Sequence, residues 1–156
     1  MYADVTAPLY WWKEFDTYKV GTVRNSCSTM HKITEKVFSL DDFSHEHLTS
    51  EAVRILLYII HILNDAREVY LNFEELCANG DISDDIENNK DVWWQIIQLL
   101  PSSYNQKATV MLNYEVLANM YHSRKNHKLD EWCDFCKWIE SLPNSELITG
   151  EHTAHE

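Results

Sequence analysis

The stretch 50–78 constrains the fold most, because it contains neither Gly nor Pro and is rich in apolar residues. A Ser-Glu pair opens it and an Asn-Gly pair follows it, which are typical helix start and stop signals. Its first half, 52–63, is apolar apart from Arg54 and His61, which favours a buried central helix. The run is too short and too interrupted to cross a bilayer, so we expect no membrane partner.

Shorter elements are predicted on both sides of this helix. A strand over 2–7 precedes Pro8, a residue that the first turn of a helix accepts. We further predict a structured loop over 17–34, an acidic connector over 81–91, a helix over 92–100, a strand over 104–112 and helices over 113–124 and 129–141. A chain of 156 residues with three Gly and three Pro favours one domain over a loop-rich β-sandwich. The prediction is an α+β fold, a mostly helical single domain over 1–143 with a minor sheet, followed by an acidic, flexible tail over 144–156.

Charged residues are distributed unevenly along the chain. The net charge of −12 disfavours direct binding to nucleic acid or to anionic membranes. Residues 37–100 carry three bases and thirteen acids, whereas 1–36 and 101–137 each carry five bases and four acids. We expect these two basic segments to lie together and form a local anion site. The alternative is a chance scatter of surface lysines.

The cysteines predict a reducing environment and no metal centre. Four Cys at irregular spacing are too few for a disulfide scaffold. Residues 1–10 lack the pattern of a signal peptide, so we expect a cytoplasmic protein. The Cys133-x-x-Cys136 pair lies in a predicted helix without two further ligands, which favours core thiols over zinc.

One predicted helix carries polar residues on its apolar face. Asn113, Leu117, Met120 and Arg124 follow one another at intervals of four, three and four residues, which places them on one stripe. An arginine on such a stripe requires a carboxylate or a phosphate partner. The spacing leaves two alternatives open: an ion pair with an acid such as Glu14 or Asp16, or a bound ligand.

Three segments of the chain resemble the flavin-dependent thymidylate synthase family. Residues 7–22, with Ala-Pro-Leu-Tyr at their start, are similar to its first conserved region. The Leu-Pro-x-x-Tyr of 100–104 is similar to its Leu-Pro segment. Residues 113–124 followed by Trp132 are similar to its Asn-x-Arg helix and the helix after it. Order and spacing agree over roughly 3–140.

The resemblance implies an α+β homotetramer whose active sites, shared between subunits, bind FAD and dUMP. Arg124 matches the catalytic arginine that polarises the uracil, and Asn113 matches an asparagine that contacts the cofactor. The nucleotide-binding positions of the family's signature fall on Lys19, Thr22, Asn25 and Ser28, the last two after a one-residue insertion. Uridine or deoxyuridine nucleotides are therefore the expected ligands.

Several positions depart from the family pattern. Thr17 and Tyr18 stand where the signature has Arg and His, and Glu115 stands where a phosphate-contacting Arg is expected. Each lost charge-assisted hydrogen bond weakens binding by about 1–3 kcal/mol. We therefore expect weak FAD binding and little or no thymidylate synthase activity, while a nucleotide monophosphate still binds.

Two functional hypotheses follow from the sequence. The first is a nucleotide-binding protein similar to flavin-dependent thymidylate synthases, with dUMP as its ligand. The second is a noncatalytic, acidic accessory protein of a phage or mobile element that acts through protein–protein contacts. Six Trp and a nearly all-apolar helical run over 52–63 in a short chain predict a homo-oligomer in either case.

Overall fold

The computed structural model describes residues 1–26 and 32–150, which fall into two units. Within these residues, unit 1 covers 1–26 and 106–150, and unit 2 covers 32–105. In chain order the elements are β1 (Tyr2–Pro8), α1 (Leu9–Phe15), β2 (Thr22–Ser26), a short 3-10 helix (Leu40–Asp42), α2 (Ser50–Leu71), α3 (Phe73–Asn79), α4 (Asn89–Leu99), β3 (Asn105–Leu112), α5 (Tyr114–Arg124), α6 (Asp130–Glu140) and α7 (Glu146–Thr149).

Unit 1 contains a three-stranded sheet in the order β1-β3-β2. β2 runs antiparallel to β3, with Thr22 opposite Leu112 and Ser26 opposite Ala108. On the other side of β3, the backbone of Met1 exchanges hydrogen bonds with that of Leu112. Ala108, Val110 and Leu112 are buried and alternate with exposed residues, so one face of the sheet packs on the core.

Aromatic side chains of α1 form the centre of the unit 1 core. Trp11, Trp12 and Phe15 are all at most 2% exposed. The ring of Trp11 lies 4.7 Å from that of Trp132, centroid to centroid, and 5.5 Å from that of Phe135. Both partner rings lie on α6. These contacts therefore fix α1, a helix of only seven residues, against α6.

Unit 2 is built on the packing of α2 against α4. Leu56, Ile60 and Leu63 of α2 are buried, as are Val92 and Ile96 of α4. A separate cluster of aromatic rings joins Phe38, Phe43 and Tyr104 at centroid distances of 5.5–6.3 Å.

The prediction of a fully buried helix over 52–63 is wrong for the described chain. Ile55, Leu57 and Tyr58 are 58%, 45% and 65% exposed. The physical reason is that the buried positions of α2 form a single stripe, at intervals of four and three residues, and its other faces remain uncovered.

The predicted fold class is confirmed: the protein is α+β, mostly helical, with a minor antiparallel sheet. The predicted loop over 17–34 is wrong in part, because 22–26 forms β2. This edge strand depends on pairing with β3, about eighty residues further along the chain, which no local pattern announces.

α7 lies inside the predicted tail, and its Ile148 is buried in the unit 1 core. The boundary at residue 143 stays a prediction. None of the described helices has the length and apolar character needed to cross a membrane.

Candidate functional site

Of the two basic segments predicted to lie together, 1–36 and 101–137, the parts over 1–26 and 106–137 belong to unit 1, whereas 32–36 and 101–105 belong to unit 2. In unit 1 the two segments pair through β2 and β3. Gly21 is one reason that they approach so closely. Its φ is +80°, and a Cβ at this position would lie 2.7 Å from Nδ2 of Asn113. Any other residue would therefore be both strained and in collision with Asn113. Asn113 in turn caps α5, because its Oδ1 accepts the Val116 N–H at 2.8 Å.

Arg124 is the last residue of α5 and pairs with Glu14 from the last turn of α1. Its Nη1 lies 2.6 Å from Oε2 of Glu14. The Trp132 indole N–H, from the first turn of α6, donates to the same carboxylate oxygen at 3.0 Å. Of the two alternatives left open by the sequence, the carboxylate partner is present. Glu14 thus connects three helices through one oxygen atom.

Three further groups surround the Arg124 guanidinium. Its Nε donates to the Tyr18 hydroxyl at 2.9 Å, and Nη1 lies 3.0 Å from Nε2 of His127. Its Cζ lies over the Trp132 ring, 4.8 Å from the centroid, which is a cation–π contact. We name these five residues, Glu14, Tyr18, Arg124, His127 and Trp132, the Arg124 cluster.

The Arg124 guanidinium retains unused donors. An arginine has five N–H groups. Nε and Nη1 are bonded as described, whereas Nη2 has no hydrogen-bond partner among residues 1–26 and 32–150. The side chain is 19% exposed, so solvent or a ligand reaches it. Its two N–H groups point in different directions, so either one can donate to a carbonyl or phosphate oxygen of a ligand.

Arg24 of β2 forms a second ordered arginine that the sequence analysis did not single out. Its Nη1 lies 2.7 Å from Oδ2 of Asp16, Nη2 donates to the Gln106 side chain, and its Cζ lies 4.1 Å from the centre of the Trp12 ring. Its Nε is buried without a partner in the described part of the chain. The excess of bases in 1–36 was the only available signal, since β2 was not predicted.

The other predicted site residues that the structure describes lie between α1 and β2 or on β2 itself. The Thr22 hydroxyl donates to the Tyr18 carbonyl, next to the Arg124 cluster. Lys19 is exposed in the turn between α1 and β2, and Asn25 is exposed on β2, opposite Thr109. Ser28 lies outside the described residues. Tyr18 and His127 were missed by sequence reasoning, because neither carries a spacing signal of its own.

No group of three or more His, Cys, Asp or Glu side chains suited to a metal ion occurs in 1–26 and 32–150. Cys136 is buried, and burial raises the pKa of its thiol to about 11. A protonated, buried thiol of this kind packs as a small apolar side chain in the core of unit 1. The Cys133 thiol donates to the His127 carbonyl at 3.4 Å, which ties α6 to the loop beside Arg124.

The fold of this chain is similar to that of proteins whose structures have been solved. A crystal structure of flavin dependent thymidylate synthase ThyX from Helicobacter pylori complexed with FAD and dUMP matches with a TM-score of 0.57 at 15% identity, over 96% of this chain and 71% of that chain. A second Helicobacter pylori ThyX structure with FAD and dUMP matches with a TM-score of 0.56 at 16% identity, over 96% and 72%. The fold resembles that of ThyX. No family model and no curated protein matches the sequence.

We expect a double-mutant cycle to detect energetic coupling between Arg124 and Glu14. Arg124→Ala and Glu14→Gln should each lower the free energy of unfolding by about 1–3 kcal/mol, because each leaves a half-buried polar partner without its bond. The double variant should lose about 1 kcal/mol less than the sum. Urea denaturation measures all four proteins.

The exposed pair Lys137–Asp134 serves as the control cycle. Its coupling should be close to zero, because solvent screens it. Strict additivity at Arg124 and Glu14 would show that the pair does not connect α1 to α5 energetically.

Proposed function

We propose that unit 1 binds a uridine or deoxyuridine nucleotide, dUMP in the first place, at the Arg124 cluster. The observation that carries the proposal is the half-buried Arg124 guanidinium with an unused Nη2, held in place in a fold that resembles ThyX. The two ThyX structures contain dUMP, which supports this class of ligand.

The cluster suits a pyrimidine carbonyl better than a highly charged group. Glu14 already compensates the charge of Arg124, so the guanidinium offers directed donors rather than net positive charge. Nη2 of Arg124 would donate to a uracil oxygen and stabilise negative charge that develops on the ring. Because Arg124 is held by Tyr18 and His127 as well, little reorganisation is needed on binding.

The phosphate of the nucleotide requires positive charge from elsewhere. In the proposal Lys19 supplies it from its exposed position in the turn after α1. The hydroxyl of Thr22 lies beside the same turn, and Asn25 and Ser28 complete the predicted nucleotide-binding set. Asn113 is assigned to cofactor contact through Nδ2, because its Oδ1 already caps α5.

FAD is the cofactor found in the ThyX structures, and the residues of this chain fit its pyrophosphate poorly. The Thr17 hydroxyl donates to the Glu14 carbonyl, and the Tyr18 hydroxyl accepts a hydrogen bond from Arg124. Glu115 places an acid in the first turn of α5. A pyrophosphate would meet repulsion and few donors here. We propose that FAD binds weakly and that any thymidylate synthase activity is low.

Calorimetric titration with dUMP tests the proposal. The unmodified protein should bind dUMP, and Arg124→Ala should weaken binding at least about tenfold, because the charged hydrogen bond to the uracil oxygen is lost. Arg67→Ala is the matched control: Arg67 is equally well buried, lies in unit 2 and donates from Nε to the Thr34 carbonyl.

Circular dichroism should confirm that both variants remain folded. Absence of dUMP binding by the unmodified protein would refute the proposal, as would equal losses in Arg124→Ala and Arg67→Ala. The visible absorption band of oxidised flavin in the purified protein would show that FAD binds despite the poor fit. The comparisons give no support to the alternative of a noncatalytic accessory protein.

We further propose that α2 contributes to a homo-oligomer, a tetramer by the family resemblance. Ile55, Tyr58 and Ile62 lie on one side of α2, and the first two are more than half exposed. An apolar stripe of this kind on a helix is typical of an interface between subunits.

Light scattering measures this assembly directly. The unmodified protein should have a mass several times that of one chain, and Tyr58→Asp should shift it towards the single chain, because a charge would be buried without a partner. Leu147→Asp, at a residue 73% exposed in unit 1, should leave the mass unchanged. A single-chain mass for the unmodified protein would contradict the proposal.

A further inference from the structure

A groove of about 340 Å³ lies in unit 1 between β1 and α6. One wall consists of five consecutive residues of β1, 3–7. The other wall is a single stripe of α6, Glu131, Asp134, Phe135 and Trp138, and Trp11 also lines the groove. Consecutive strand residues point to opposite faces of a sheet, so a wall made of five in a row is the edge of the strand rather than a face.

The edge of β1 that faces this groove carries backbone N–H and C=O groups that point away from β3. β1 is an outer strand of the sheet, with β3 on its other side. Met1 and Leu112 exchange both backbone hydrogen bonds, which makes them a hydrogen-bonded pair. Because such pairs alternate along an antiparallel ladder, residues 3, 5 and 7 bond to β3. The N–H and C=O groups of Asp4 and Thr6 therefore face away from β3, towards the groove.

A buried donor also lies at the groove. Trp11 is 1% exposed, and its indole N–H has no hydrogen-bond partner among the described residues. Buried polar groups are nearly always bonded, so this donor favours an acceptor that reaches it from solvent or from a partner. A peptide carbonyl is such an acceptor.

The groove has an acidic lining. Asp4, Glu131 and Asp134 line the groove, and no Lys or Arg does. Asp4 pairs with Lys107, Asp134 pairs with Lys137, and Glu131 accepts the Tyr10 hydroxyl. The two lysine pairs are well exposed, so a competing cation exchanges with them at little cost. The rings of Phe135 and Trp138 provide apolar surface for the alkyl part of a long basic side chain.

We propose that this groove binds an extended, lysine- or arginine-containing segment of a partner protein, which pairs with β1 as a fourth strand. The free edge supplies main-chain hydrogen bonds, and the acidic wall of α6 selects basic side chains. This binding site is independent of the proposed nucleotide function.

A second copy of this chain fits the groove less well. The chain carries a net charge of −12, and pairing of two β1 strands would bring a second Asp4 to a groove that three acids already line. Like charges at short distance oppose such pairing. A basic partner segment avoids that repulsion.

Fluorescence anisotropy with two labelled peptides tests the proposal. One peptide alternates Lys and Thr, and the other alternates Glu and Thr. The basic peptide should bind in a salt-dependent manner, and the acidic peptide should not. A basic peptide with N-methylated backbone should lose binding, because it cannot donate to the edge of β1.

Variants of the protein locate the binding site. Thr6→Pro removes one outward-facing N–H without affecting the bonds to β3, and should weaken binding about tenfold, the effect of one hydrogen bond. Thr6→Val keeps the N–H and should bind normally. Asp134→Asn should weaken binding, whereas Asp65→Asn, at an exposed acid of α2, should not.

Several results would overturn the proposal: no binding of the basic peptide, equal binding of the acidic or N-methylated peptide, or unchanged affinity in both Thr6→Pro and Asp134→Asn. If Thr6→Pro lowers the mass of the assembly in light scattering while no peptide binds, a second copy occupies the groove and the proposal is wrong. If Thr6→Pro does not fold, Asp134→Asn and the N-methylated peptide decide the question.

Discussion

The ion pair between Glu14 and Arg124 is the interaction on which the rest of unit 1 depends. One carboxylate oxygen accepts from the guanidinium of Arg124 and from the indole of Trp132, so the ends of α1, α5 and α6 meet at a single atom. A half-buried carboxylate is stable only with such partners, and a half-buried guanidinium likewise. The pair therefore fixes the helix ends and, at the same time, leaves Nη2 of Arg124 available for a ligand. Stability and proposed binding depend on the same three side chains.

The aromatic core supports both the Arg124 cluster and the groove beside β1. Trp132 bonds to Glu14 at one end and packs on Trp11 with its ring. Trp11 in turn lines the groove. One pair of tryptophan rings, with centroids 4.7 Å apart, thus contributes to both proposed sites. Packing between these two rings holds Trp132 beside Glu14 and Trp11 beside the groove.

Local patterns of the sequence predicted most helices, and they failed where structure depends on distant contacts. Periodicity predicted β3 and the helices α4, α5 and α6 to within a few residues, because those elements bury one regular face. β2 was missed because it is polar and depends on β3. The stripe through Arg124 predicted a carboxylate or phosphate partner, with Glu14 and Asp16 as candidate acids, and the three-dimensional structure was needed to distinguish between them. Tyr18 and His127 joined the cluster only through the fold. Residues such as Lys19 and Asn25 entered the candidate site through family resemblance alone.

The indole N–H resonances of the six tryptophans offer the most direct test of the central claim, that a nucleotide binds where Arg124 and Glu14 meet. Trp132 donates to Glu14, so its indole proton reports any change in that pair. In a nitrogen-15 NMR titration with dUMP, the Trp132 resonance should shift in a saturable way, while those of Trp93 and Trp94 in unit 2 should stay in place. A Trp132 resonance that does not move at saturating dUMP, or a shift of equal size at Trp93 and Trp94, would contradict the account.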